Sequence, residues 1–161
     1  MPTIAVMMGI PASGKSTFCR TQLPEYERIN LDELHTRRKE GIALAEAIER
    51  GRDIVIDNTN PAVSDREKYL RIAKENRYTV TGYFMQSRVQ DCIGRNSERQ
   101  GKARISNKAI AAISNKLEMP SYEEGFDNLF YVSMTDDGFR VEKWESETER
   151  TDSEGGGKDA V

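Results

Sequence analysis

The chain has 161 residues, a hydrophobic fraction of 37% and a formal net charge of −3, which together predict one domain with its own core. It has no run of about 18 apolar residues and no signal-peptide pattern, so we expect a cytoplasmic protein without a membrane span. Two distant cysteines and a single histidine argue against a disulfide framework, a zinc site and a His-based catalytic triad.

Short apolar runs alternate with helix-forming stretches along the chain. The runs predict five strands, at 3–8, 27–30, 53–57, 78–84 and 129–133, and an added edge strand at 139–144. Helices are predicted at 15–22, 42–49, 62–75, 87–99 and 106–117. This order predicts an α/β fold, with a parallel five-stranded sheet and helices on both faces. Ligands of such sheets bind beyond the carboxyl ends of the strands.

The C-terminal segment differs in composition from the rest of the chain. Residues 145–161 hold six acidic and two basic residues, together with three consecutive glycines. Such segments have too few apolar residues to form a core, so we expect a folded domain at 1–144 and a disordered acidic tail at 145–161. The overall acidity therefore does not argue against a nucleic-acid substrate.

Residues 9–16 form the sequence GIPASGKS, which is the Walker A pattern G-x-x-x-x-G-K-S. The pattern follows a predicted strand and precedes a predicted helix, where backbone N–H groups and the helix N-terminus can bind phosphate. It predicts a site for a nucleoside triphosphate and Mg²⁺, but it does not separate a kinase from an ATPase, a GTPase or a motor. The candidate nucleotide-binding residues are Gly9, Pro11, Ala12, Ser13, Gly14, Lys15, Ser16 and Thr17.

Two acidic residues follow predicted strands. Asp57 ends the third strand, where it can hold Mg²⁺ together with Ser16; the alternative is an aspartate that caps a turn, helped by Asn58 and Asn60. Asp32 follows the second strand, where it can accept the proton of an attacking hydroxyl group. The alternative for Asp32 is the N-cap of the next helix, and the adjacent Glu33 is a rival for the catalytic role.

The stretch 88–108 contains six basic and two acidic residues. Arg95 and Arg99 are four residues apart, so a helix places them on one face. Such a pair can bind phosphoryl oxygens and offset the charge that develops during transfer, as in the helical lid of a kinase. The alternative is a solvated basic face.

Four segments together carry a resemblance to a known family: GIPASGKST, NLDELH, DIVIDNTNP and RNSERQGKARIS. They resemble the kinase module of polynucleotide 5′-kinases, and the later KLEMPSYEEGF is also similar. The resemblance spans residues 3 to about 134 and implies the P-loop kinase fold and transfer of the γ-phosphate of ATP to a 5′-hydroxyl of DNA or RNA with Mg²⁺. It implies catalytic roles for Asp32 as general base, and for Lys15, Arg95 and Arg99, with Ser16 at the metal.

The chain departs from this family at one position. The family commonly has an arginine three residues after the general base, where it holds a phosphate of the acceptor strand, and this chain has His35. A neutral imidazole is a poorer phosphate anchor, so His35 with Arg37 or Arg38 forms the candidate acceptor site. Two alternatives therefore stay open. One is a kinase of a hydroxymethylated DNA base or a small-molecule alcohol, and the other is a nucleotide-binding regulator without acceptor chemistry.

Overall fold

The protein is described by a computed structural model that covers residues 1–101 and 104–145. Its strands form one six-stranded sheet in the order β2-β3-β1-β4-β5-β6, in which β1 to β5 are parallel and β6 is antiparallel to β5. The strands are β1 Thr3–Met8, β2 Glu27–Ile29, β3 Ile54–Ile56, β4 Thr79–Met85, β5 Asn128–Thr135 and β6 Gly138–Lys143. The predicted α/β fold is confirmed, and the sheet has six strands because a tight turn at Asp136 and Asp137 returns the chain along β5.

The helices match the predicted stretches except between β2 and β3. They are α1 Lys15–Gln22, α2 Leu31–Leu34, α3 Arg37–Glu49, α4 Val63–Glu75, α5 Val89–Ser97 and α6 Asn107–Lys116, and a 3₁₀ turn follows at Tyr122–Glu124. The short α2 was not predicted, and α3 begins five residues earlier than expected because the Thr36 side chain caps it by accepting from the Lys39 N–H.

The sheet is covered on both faces. On one face α3 and α4 pack over alternate residues of the strands, including Ile4 and Val6. On the other face Phe18 and Cys19 of α1 pack over the intervening residues, including Ala5 and Met7. The central strand is therefore buried on both sides, which explains why its sequence is continuously apolar rather than alternating.

The strand order reverses its direction of growth at β1. From β1 the chain builds β2 and β3 on one side, then crosses to build β4 and β5 on the other. In parallel sheets this reversal is where ligands bind, and residues 9–14 follow β1 at that point. Helices α5 and α6 pack on this loop, since Cys92 and Ile110 contact Ile10 and Ala12. We call the described residues between 88 and 116, which are 88–101 and 104–116, the lid.

Two further predictions concern membrane-spanning helices and the C-terminal segment. Among the described residues, no helix combines the length and the apolar composition that a membrane crossing requires. The predicted acidic tail, 145–161, lies outside the described residues apart from Glu145.

Candidate functional site

The backbone of the loop after β1 has the conformation that its glycines permit. Gly14 has φ +96° at the start of α1, a region that L-residues rarely adopt, and Ala12 has φ +64°. A Cβ on Gly9 would lie 2.8 Å from the Oγ of Ser13. The loop therefore curls tightly ahead of the α1 N-terminus, as phosphate binding requires.

Backbone and side-chain groups that follow two neighbouring strands hold this loop in place. The Gly9 N–H donates to the Thr59 carbonyl at 2.9 Å, and the Asn60 amide donates to the Met7 carbonyl at 2.8 Å. The buried Ser87 hydroxyl accepts from the Ile10 N–H at 3.2 Å. We did not predict Ser87, although its position just after β4 places it next to β1 in the observed sheet order.

Lys15 lies inside the loop. Its Nζ donates to the carbonyls of Gly9 at 3.0 Å and Ile10 at 2.8 Å. Burial lowers the pKa of Lys15 to about 8, although the charge of Asp57 opposes this shift. The ammonium group therefore points at the loop where the phosphates of a nucleotide are expected, and it gives up its proton more easily than an exposed lysine.

Ser16 and Asp57 lie side by side, as expected for a metal site. The Ser16 hydroxyl donates to Asp57 Oδ2 at 3.0 Å, and the other carboxylate oxygen, Oδ1, is buried and has no hydrogen-bond partner among the described residues. A hydroxyl and a buried carboxylate with an unused oxygen suit Mg²⁺, which prefers oxygen ligands. The alternative for Asp57 as a turn cap is wrong, because side chains rather than turn N–H groups engage its carboxylate.

A third side chain, Arg28, joins this pair. Its Nε donates to Asp57 Oδ2 at 2.7 Å, its Nη2 to Ser16 Oγ at 3.2 Å and its Nη1 to Glu33 Oε1 at 2.6 Å. Burial opposes the positive charge, but the bonds to Glu33 and Asp57 raise the pKa of Arg28. We missed Arg28 in the sequence, because its role depends on the pairing of β2 with β3, the strand that ends just before Asp57.

The candidate acceptor residues lie beside this cluster. The Asn30 amide donates to the Asp57 carbonyl at 2.6 Å, and the Leu31 N–H donates to the Asn58 side chain at 2.9 Å. These bonds begin α2 at the same sheet edge as the Walker A loop. Asp32 lies exposed in the first turn of α2, and its interpretation as an N-cap is wrong, because Asn30 caps the helix by accepting from the Glu33 N–H.

The chain after Asp32 turns away from α2 in a strained conformation. His35 is exposed at the C-terminal end of α2 with φ +70°, a left-handed conformation that histidine adopts more readily than most residues. Arg38 is exposed in the first turn of α3, whereas the guanidinium of Arg37 donates to Glu40 at 3.1 Å. Arg37 and Arg38 were the two candidates to replace the family arginine, and Arg37 forms an ion pair with Glu40.

A buried carboxylate anchors this acceptor side to the rest of the fold. Glu40 accepts from the Tyr69 hydroxyl at 2.9 Å, from Lys68 at 3.1 Å and from the Asn58 amide at 3.1 Å. Burial alone would raise the pKa of Glu40, but the hydrogen bonds from Lys68 and Tyr69 hold it below its usual range. We did not predict Glu40, which fixes α3 to α4 and to the segment after Asp57.

The predicted lid arginines approach the loop from the other side. Arg95 Nε donates to the Ala12 carbonyl at 2.6 Å, so Arg95 does not belong to a purely solvated face. Arg99 follows the C-terminal end of α5 rather than lying on the helix, and its charge is one of the causes that lower the pKa of Lys15. Asn96, between them, forms hydrogen bonds with both backbone groups of Ile105 and so ties α5 to the start of α6.

Comparisons with known proteins agree with this geometry. The chain is 34% identical over 131 residues to the bifunctional polynucleotide phosphatase/kinase of Schizosaccharomyces pombe, a match that covers 78% of this chain and 32% of that protein. It is 35% identical over 146 residues to a sequence of Acanthamoeba polyphaga mimivirus whose name also describes a bifunctional polynucleotide phosphatase/kinase, covering 82% of this chain and 35% of that protein. The chain thus spans about a third of the length of these relatives. No family model matches it.

A solved structure supports the same fold. Kti12 of Chaetomium thermophilum, crystallised with ADP-AlF3, superposes with a TM-score of 0.62 at 22% identity and covers 83% of this chain and 90% of that structure. The chain therefore has a P-loop fold like that of this structure, with the Walker A loop and the Ser16–Asp57 pair at the carboxyl ends of β1 and β3. The resemblance to polynucleotide kinases that the motifs indicate is confirmed by relatives with that name over most of the chain.

Proposed function

We propose that the protein transfers the γ-phosphate of ATP to the 5′-hydroxyl end of DNA or RNA. The observation that carries the proposal is the contact of Arg95 with the Ala12 carbonyl, because it brings a lid arginine to the phosphate loop. The names of the relatives at 34% and 35% identity support a polynucleotide as the acceptor. The Walker A loop after β1 supports a nucleoside triphosphate as the donor.

The proposed transfer is a direct, in-line displacement. Asp32 accepts the proton of the acceptor hydroxyl as its oxygen bonds to the γ-phosphorus. The bond from that phosphorus to the oxygen bridging the β- and γ-phosphates breaks, and ADP leaves with the electron pair. The exposure of Asp32 on α2 supports this role, since the acceptor has to reach the carboxylate from solvent.

The remaining site residues bind and offset the charge of the donor. Lys15 and the N–H groups of the loop hold the phosphates, while Arg95 and Arg99 neutralise the charge that spreads over the transferring group. Ser16 and Asp57 would hold Mg²⁺, which when bound supplies positive charge to the β- and γ-phosphate oxygens. His35 and Arg38 face the acceptor in this proposal.

The direct test is an assay with γ-labelled ATP, Mg²⁺ and short DNA and RNA oligonucleotides that end in a 5′-hydroxyl. We expect label at the 5′ end, and no label on the same oligonucleotides already phosphorylated at that end. Binding of ATP with slow hydrolysis and no labelled product would instead support a nucleotide-binding regulator.

One observation favours a second acceptor class. His35 stands where an arginine would hold an acceptor phosphate, and Arg37 is paired with Glu40. The same donor site could then serve a hydroxymethylated base in duplex DNA or a small-molecule alcohol. Transfer to a hydroxymethyl-pyrimidine duplex or to an alcohol, without transfer to free 5′ ends, would replace the first proposal with this one.

A further inference from the structure

A guanidinium group lies where the proposed magnesium ligands meet. Two of the three hydrogen-bond partners of Arg28 are Ser16 Oγ and Asp57 Oδ2, and the third is Glu33. The side chain of Asp57 is 1% exposed and that of Arg28 is 20% exposed. The Arg28–Asp57 pair is therefore shielded from water and interacts more strongly than a surface ion pair.

The carboxylate of Asp57 needs such a partner. Burial of a carboxylate is costly unless a cation or several hydrogen-bond donors accompany it. The nearby ammonium group of Lys15 donates to the carbonyls of Gly9 and Ile10 instead. Within the described part of the chain, Arg28 is thus the cation whose ion pair with Asp57 the structure shows.

Arg28 and a divalent cation would compete for the same oxygen atoms. The guanidinium engages the oxygens of Ser16 and Asp57, and a metal ion bound to Ser16 would carry like charge beside it. The side chain of Glu33 is 62% exposed, and its carboxylate can remain paired with the guanidinium after the guanidinium has left Ser16 and Asp57. We propose that Arg28 is a resident cation of the Ser16–Asp57 pair, that a divalent metal displaces it, and that Glu33 then retains it.

This inference rests on the proposed function only in taking Ser16 and Asp57 as the metal site. It has a direct consequence for binding. In the protein without nucleotide, Arg28 weakens the affinity for free divalent metal. A metal bound to the phosphates of a nucleotide has these phosphates as further ligands, and it can therefore displace Arg28. The site would then select metal–nucleotide complexes over the free ion.

The test measures binding of Mn²⁺ by electron paramagnetic resonance, with and without ADP, to the wild-type protein and to Arg28→Gln, Glu33→Gln and the double variant. Arg28→Gln is expected to bind free Mn²⁺ about tenfold more tightly, since a neighbouring positive charge is removed. Glu33→Gln is expected to bind it several-fold more weakly, with little effect once Arg28 is already Gln. Arg52→Gln, which removes a surface arginine paired with Glu27, is the matched control and should change nothing.

Thermal unfolding in EDTA gives a second readout. Arg28→Gln leaves Asp57 without its ion-pair partner, so we expect this variant to have a lower melting temperature than the wild-type protein in EDTA. Addition of Mg²⁺ should remove this difference in melting temperature. Should Arg28→Gln fail to fold, Arg28→Lys keeps the charge but cannot bridge three groups, and it should bind free Mn²⁺ with an affinity between those expected for wild type and Arg28→Gln.

Several results would overturn the inference. The first is an affinity of Arg28→Gln for free Mn²⁺, or of Arg28→Lys in its place, that is equal to or weaker than that of the wild-type protein. The second is a Glu33→Gln substitution that weakens Mn²⁺ binding as much in the double variant as in the wild-type protein. The third is a difference in melting temperature between Arg28→Gln and wild type that Mg²⁺ leaves unchanged. The proposed metal site itself is tested separately by Asp57→Asn. Unaltered Mn²⁺ binding by that variant would refute the site, whatever Arg28 does.

Discussion

The two sides of the candidate site differ in how firmly the fold holds them. The donor side comprises the loop at 9–14, Lys15, Ser16, Asp57 and the lid arginines. Lys15 and Asp57 are buried there, and each is fixed by hydrogen bonds to the loop or to neighbouring strands. The acceptor side comprises α2 and the first turn of α3, and its candidate residues Asp32, His35 and Arg38 are exposed.

The fold thus positions the donor side before any substrate binds, whereas the exposed side chains of the acceptor side are ordered only when the acceptor binds. A triphosphate is the same molecule in every turnover, so a rigid, partly dehydrated site can bind it at little cost in ordering. The acceptor side is anchored beneath its surface, through Asn30 and Glu40, while its reactive groups remain in water. Changes on the donor side should therefore act on phosphate chemistry, and changes on the acceptor side on substrate choice.

The largest effect that we expect comes from the donor side. Arg99→Ala removes a charge that the proposal directs at the transferring phosphoryl group, and kcat should fall by about 10³-fold or more, as for other arginines of this kind. The KM for ATP should rise much less. Steady-state kinetics with Arg104→Ala as control, an exposed arginine of the same lid, tests this. Loss of ATP affinity with an unchanged kcat would assign Arg99 to ground-state binding.

Asp32→Asn tests the acceptor side with the next largest effect. An amide cannot take the proton of the attacking hydroxyl, so the rate of transfer should fall by about 10²- to 10⁴-fold. Binding of ATP, followed by calorimetry, should be unchanged because Asp32 is not part of the donor side. Asp91→Asn is the matched control, since Asp91 is also an exposed carboxylate in the first turn of a helix. Turnover by Asp32→Asn at the rate of the control would refute the assignment of the base.

The lowered pKa of Lys15 predicts a pH dependence on the donor side. Burial lowers this pKa to about 8 in the free protein, and the negative charge of a bound nucleotide raises it. Below pH 8 the lysine is protonated before and after binding, whereas above it binding must take up a proton. The affinity for ATP should thus fall by up to about tenfold for each pH unit above 8.

Titration calorimetry of ATP binding between pH 7 and pH 10 measures this effect, and Lys15→Arg serves as control because arginine stays charged throughout. The arginine variant should show a nearly flat profile. An equally flat profile for the wild-type protein would mean that Lys15 keeps its proton in the free state.

The smallest effect is expected at His35. His35→Arg places a guanidinium where the resemblance implies a phosphate contact, and the KM for a 5′-hydroxyl oligonucleotide should fall about fivefold, with the modest gain of an exposed charge pair. The KM for ATP should not change, and His35→Gln should show no gain. An oligonucleotide KM that does not respond to His35→Arg would favour the alternative acceptors.

The donor side was largely predictable from the sequence, because the Walker A pattern encodes its own backbone geometry. Gly14 at φ +96° and the position of Lys15 follow from eight consecutive residues. Arg28 was not predictable, because its role depends on β2 pairing with β3, a contact between residues far apart in the chain. Glu40 was missed for the same reason, since three of its donors come from the segment 58–69.

On the acceptor side, local propensity was the misleading signal. Asp32 and Glu33 both suit the start of a helix, and the cap is Asn30, which the buried end of β2 positions against Asp57. Arg95 and Arg99 were predicted as a pair from their helical spacing, but α5 ends at Ser97. The contact of Arg95 with Ala12 depends on the packing of α5 and α6 on the loop.

The central claim is that Asp32 and the lid arginines act on the same phosphoryl group from opposite sides. A crystal structure of the protein with ADP, aluminium fluoride, Mg²⁺ and an oligonucleotide ending in a 5′-hydroxyl tests it most directly. We predict a carboxylate oxygen of Asp32 within about 3 Å of the 5′ oxygen, with Arg95 or Arg99 bound to the fluoride group that stands for the γ-phosphate. An Asp32 side chain turned away from the 5′ oxygen in that complex would contradict the account.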